Sequence, residues 1–143
     1  MGAGVAGACV LVWLLALSVY DIRERRLPNW LTVSGGLVII VVAAVTGHGV
    51  SAVLGAAGLA VLYLVVHLVA PAALGAGDVK LAVGVGGLTG AFGYDVWVLA
   101  AIAAPLCTAV LAAVASIRRA ESAVPHGPSM CVSTLAALAL VVV

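Results

Sequence analysis

Charged side chains are nearly missing from this sequence of 143 residues: Asp, Glu, Lys and Arg together make up 8%, against roughly a quarter in an ordinary soluble domain. So few charges leave no basic face for nucleic acid, and no nucleic-acid partner is expected. Aromatic residues are also sparse, at 5%, with a single Phe. Cysteine occurs only at Cys9, Cys107 and Cys131, each isolated in an apolar run. No pair has metal-ligand spacing, so all three read as small packing residues, and neither a metal nor another cofactor is expected. The short alternating segments of a membrane β-barrel are lacking as well.

What is present is apolar. Hydrophobic residues make up 66% of the chain and the mean hydropathy is +1.36. A soluble domain of this size has too high a surface-to-volume ratio to hide that much apolar surface. Lipid is the natural solvent, and long unbroken runs of Ala, Val, Leu and Gly predict spanning helices. The expected fold is all-α: one polytopic membrane domain over residues 1–143, with six transmembrane helices.

The runs cover about Gly4 to Tyr20, Leu31 to Thr46, Val50 to Val69, Val79 to Phe92, Val96 to Ser116, and the stretch after Pro128 to Val143. Ala16-Leu17-Ser18 faintly resembles a signal cleavage site. The basic cluster Arg23, Arg25 and Arg26 follows that run instead of preceding it, so a retained helix is expected. A polar loop is expected from Asp21 to Trp30, with Pro28 in the first turn of the next helix and Trp30 as an interfacial anchor. The fourth run is short and glycine-rich, and its Gly86-x-x-x-Gly90 spacing predicts a close helix contact. With six spans, the loops near 21–30, 71–80 and 117–128 share one side and hold every Lys and Arg. The positive-inside bias makes that side cytoplasmic and puts both termini outside.

This topology sorts the carboxylates. Asp95 falls on the outer side, as does His48 in its turn; Glu121 reads as a solvated charge and Glu24 as a local partner of the arginines. Asp21 ends the first run, and Asp78, in Gly75-Ala76-Gly77-Asp78-Val79-Lys80-Leu81, begins the fourth, so both lie at the same depth on the cytoplasmic face. Two carboxyl groups sharing a site repel, raise one pKa and share a proton. One can then accept a proton from an attacking water while the other donates to a peptide carbonyl. The bland alternative is that both merely cap helix ends.

Three segments carry a resemblance. Gly75–Leu81 matches the GxGD motif of the type IV prepilin peptidases, including the Lys and Leu that follow. Asp21, then Arg23, Arg25, Arg26, Leu27, Pro28 and Asn29, is similar to that family's other signature, an aspartate followed by basic residues and Leu-Pro-Asn. Pro125-His126-Gly127-Pro128 resembles its Pro-Phe-Gly-Pro segment, with His126 in place of the aromatic. The resemblance implies a membrane aspartic endopeptidase with Asp21 and Asp78 as its catalytic pair. It would need no metal, and would remove the leader of prepilin or pseudopilin precursors at the cytoplasmic membrane. Larger members carry an insert with paired cysteines and also N-methylate the product. This chain has no CxxC and resembles the short, peptidase-only members that serve Tad/Flp-type pili.

Around the pair, Gly75 and Gly77 are expected to make room for an extended substrate. Lys80, about 160° round a helix from Asp78, is not expected to bridge to it, and reads as an interfacial anchor or a substrate contact. Asn29 either bonds near Asp21 or caps the second helix. The three arginines read as topology signals and His67 as an interfacial residue. Two other readings stay open: a different GxGD-type peptidase, acting on archaellin-like precursors or other membrane helices, and a non-enzymatic or proton-coupled small membrane protein.

Overall fold

In a computed structural model of the chain, residues 1–120 and 123–143 are described, and they form six α-helices. These are α1 (Gly2–Glu24), α2 (Asn29–Val45), α3 (Gly49–Val69), α4 (Ala76–Phe92), α5 (Tyr94–Ile117) and α6 (Gly127–Val142). Three of them, α1, α3 and α5, are long and apolar enough to cross a membrane; α2 and α6 are apolar but shorter. Large apolar side chains such as Leu37, Leu62, Leu68, Ile102, Leu106 and Leu140 stand exposed around the bundle. A soluble monomer rarely presents so much contiguous apolar surface, so this is a membrane protein with its outer faces in lipid.

The helices follow the apolar runs closely but overshoot them at the polar end. Asp21, Arg23 and Glu24, expected in a loop, form the last turn of α1. Gly77 and Asp78 are likewise helical, because α4 begins at Ala76. Hydropathy marks where lipid-compatible side chains stop. The backbone keeps its own hydrogen bonds for another turn, since helix pairing is the cheapest way to satisfy them at the boundary. Pro28 is the N-cap of α2, one position earlier than expected, and its carbonyl accepts from Leu31 N and Thr32 N at 3.1 Å.

Helix α4 is the centre of the bundle. Leu81 to Gly90 is buried almost without interruption, which is why this helix can be glycine-rich: its neighbours approach its backbone directly. A Cβ on Gly90 would lie 2.7 Å from Ser51 O and 2.9 Å from Gly55 Cα, and one on Gly86 would collide with the Gly55 carbonyl. The Gly86-x-x-x-Gly90 contact is therefore real, and Gly55 of α3 is its counterpart. Two indoles tie further helices together, α5 to α3 and α1 to α2. Trp97 Nε1 donates to Gly55 O and Trp13 Nε1 to Leu31 O, both at 2.9 Å.

Substituting Gly86→Ala would force α3 and α4 apart, because the obstacle is backbone and cannot rotate away. The expected cost is about 1–3 kcal/mol, typical of overpacking. It is measured as a fall in apparent Tm in detergent relative to Gly4→Ala, whose new methyl would meet nothing within 4 Å.

Candidate active site

The polar loops meet at one end of the bundle. Arg25, the C-cap of α1 with a left-handed φ of 52°, donates through its guanidinium to the carbonyl of Ala123 in the α5–α6 connection. Lys80 of α4 donates from Nζ to Asn29 Oδ1 of α2 at 2.7 Å. Between these contacts lies a cavity of about 380 Å³ that Asp21 and Asp78 both line, with Asn29, Gly75, Gly77 and Lys80 around them. Pro28, Arg23, His67 and His126, also singled out in the sequence, do not line it. Arg25, Arg26 and Leu27 complete the side contributed by the α1–α2 connection. Glu121 lies outside the described residues.

Asp21 is buried, with 9% of its surface exposed. Its Oδ2 accepts a hydrogen bond at 2.9 Å from the backbone N–H of Gly127, the first residue of α6. Helix starts carry unpaired N–H groups and a positive dipole end, so this is a favourable seat for a carboxylate. Only glycine permits it, since a Cβ at position 127 would run into the carboxyl group.

Asp78 is the third residue of α4, and its Oδ2 accepts from Gly75 N–H at 3.3 Å. The carboxylate thus helps cap its own helix while facing the cavity; capping and participation in a site do not exclude one another. Asp21 and Asp78 also lie close enough to feel each other's charge.

The glycines divide the work differently from the sequence expectation. A Cβ on Gly77 would press on Leu27 Cβ at 3.3 Å, so Gly77 mainly admits the α1–α2 connection. A Cβ on Gly75 would meet only Asp78 Oδ2, at an ordinary 3.7 Å. Room for a ligand is the reading left to Gly75. Asn29 neither bonds Asp21 nor caps α2; it holds Lys80.

Four side chains around the site, Tyr63, His67, Thr108 and His126, make contacts beyond the sequence expectations, which took His67 as interfacial and His126 as standing in for an aromatic. His126, the N-cap of α6, makes a 2.8 Å hydrogen bond through Nε2 to the hydroxyl of Tyr63 on α3. Its Nδ1 makes one of 2.6 Å to Thr108 Oγ1 on α5. Thr108 in turn donates to Ala104 O at 3.2 Å. Every polar atom is satisfied when Tyr63 donates to Nε2 and Nδ1–H donates to Thr108, so the imidazole is neutral and of one tautomer. His67, one turn beyond Tyr63, bonds through Nδ1 to Leu74 O at 2.6 Å and so fastens the connection that leads into Gly75. Tyr63 and His67 at i and i+4 are the polar pair in an apolar run, and that spacing was the available signal.

Burial pushes His126 down to about 4, from about 6.5 in an unfolded chain. Between those values the unfolded chain binds the extra proton, so the stability gained from neutral His126 is complete above pH 6.5 and is lost as pH falls toward 4. The gap in apparent Tm between the wild type and His126→Phe is expected to be widest near pH 7 and to shrink toward pH 4. A thermal-shift series in detergent across that range checks it.

The model of the type IV leader peptidase family matches residues 8–142. No curated protein and no solved structure matches the chain.

Proposed function

The chain belongs to the type IV leader peptidase family, and we propose that it is an aspartic endopeptidase that removes the leader of prepilin-like precursors, with Asp21 and Asp78 as its water-activating pair. The observation that carries this reading is the shared cavity: two carboxyl groups from α1 and α4, distant in sequence, line one polar recess in an otherwise apolar bundle. In such a pair the protons belong to both groups together. The ionised carboxylate takes a proton from water as the oxygen adds to the scissile carbonyl carbon, and the protonated one gives its proton to the carbonyl oxygen. In the second step the C–N bond breaks, a carboxyl proton passes to the leaving amine, and a hydroxyl of the diol intermediate returns its proton to the other carboxylate as the new carboxyl group forms. Water's atoms end on the two products and the pair returns to its starting charge.

The reading extends to topology. All Lys and Arg residues belong to helix ends and connections at the end of the bundle that holds the cavity. By the positive-inside bias that end is cytoplasmic, with six spans, both termini outside, and the chain in the cytoplasmic membrane. A recess at that boundary suits a precursor whose short leader precedes a hydrophobic helix lying in the bilayer. Such a precursor is the expected partner, and no metal is invoked.

The test is co-expression with a panel of tagged precursors: Tad/Flp-type prepilins, pseudopilins, archaellin-like precursors and an unrelated single-span protein. Loss of the leader from a prepilin, read by mass, supports the reading. Cleavage only of the archaellin-like or single-span substrates reassigns the substrate class, and no cleavage of any overturns the reading.

A further inference from the structure

The buried network behind the cavity points to a role for a residue that the aspartic mechanism does not use. We propose that His126 is a positioning residue for Asp21: clamped at both ring nitrogens, it fixes the peptide group whose N–H holds the carboxylate. The nitrogen that donates to Asp21 Oδ2 at 2.9 Å is the one bonded to the His126 carbonyl carbon. Where that peptide plane points is set by how His126 is held.

It is held from three directions. Tyr63 on α3 and Thr108 on α5 fix the ring at 2.8 Å and 2.6 Å. The His126 carbonyl accepts from Met130 N at 3.1 Å, which makes it part of the first turn of α6. The Tyr63 ring also packs on the imidazole, with centroids 5.4 Å apart. Three helices that do not carry Asp21 are thereby tied to the one N–H that touches it.

An aromatic ring without nitrogens could fill the same space but could not be gripped at two points. Burial of the imidazole in its neutral form fits this role, because a group that never changes charge in the working pH range is a fixed strut, not a proton carrier. A misplacement of about 1 Å in a reacting group costs up to about 100-fold in rate, which makes such a strut consequential without contact with substrate.

The inference rests on the aspartic-pair reading, so the experiment first establishes that reading. Purified protein in detergent is assayed on the precursor that the wild type cleaves, with Asp21→Asn as the inactive reference. His126→Phe and Tyr63→Phe, which keep the ring volume, are expected to lower kcat about tenfold and leave KM within twofold. The double variant is expected to lose no more than either single one, as for parts of one unit. His126→Gln, whose amide oxygen can accept from Tyr63 as Nε2 does, is expected to recover kcat to within about threefold of wild type.

If Asp21→Asn is inactive while both Phe variants work at the wild-type rate, the positioning role is overturned and the pair reading stands. If the Phe variants lose activity only in proportion to their folded fraction and His126→Gln brings nothing back, the network is merely structural and the inference is again overturned. An active Asp21→Asn would instead sink the pair reading itself.

Discussion

Replacing either Asp21 or Asp78 by Asn is expected to abolish leader cleavage, by about 10³-fold or more, and the double replacement to do no further harm. Removing any member of a unit that works together costs about as much as removing all of it. The substitution is chosen to spare the fold. At position 21 the carboxamide oxygen can still accept from Gly127 N–H, the contact now made at 2.9 Å. At position 78 it can still accept from Gly75 N–H, now at 3.3 Å. What disappears is the ability to take up and release a proton. The measurement is the fraction of precursor processed by each variant at equal membrane abundance, with apparent Tm recorded alongside. A variant that folds as well as wild type and still cleaves at a comparable rate would remove that aspartate from the mechanism.

Asp21 and Asp78 stand out in the sequence as candidates for a physical reason. In a chain with so few charges, lipid leaves a carboxylate nowhere to be unless it faces a polar recess or a boundary. The helices were legible for a related reason: with no water in the bilayer core, an apolar run has little choice but to pair its backbone internally. What the sequence could not carry were contacts between segments far apart in it. Lys80 was correctly kept off Asp78 by helix geometry, but its actual partner, Asn29, sits on another helix and follows no local spacing. Tyr63 and His67 are marked by their i, i+4 spacing, but the partner of the Tyr63 hydroxyl, an imidazole at the start of α6, leaves no local trace. The glycines show both cases. Gly86 and Gly90 announced their contact by spacing. Gly127 stood inside a recognisable segment, yet nothing local explains why it must lack a side chain.

The reason lies in Asp21, and it leads to the second large effect. Gly127→Ala is expected to lower kcat about 100-fold while changing apparent Tm by only a few degrees. A Cβ at position 127 would sit 3.0 Å from Asp21 Cγ and 3.2 Å from its Cβ, and closer still to Oδ2. With little of Asp21 exposed, its carboxylate must turn away from position 127 toward the cavity and give up the Gly127 N–H. Helix α6 itself would not suffer, since alanine favours helix over glycine by up to about 1 kcal/mol. That gain offsets part of the strain and keeps the fold intact. Gly7→Ala is the control: its added methyl meets nothing within 4 Å, and its activity should match wild type. The decisive comparison is kcat at saturating precursor, because a turned carboxylate affects the reacting geometry more than the grip on substrate. Wild-type kcat in the folded Gly127→Ala protein would mean that Asp21 works equally well without the amide. Position 127 would then be glycine for packing alone.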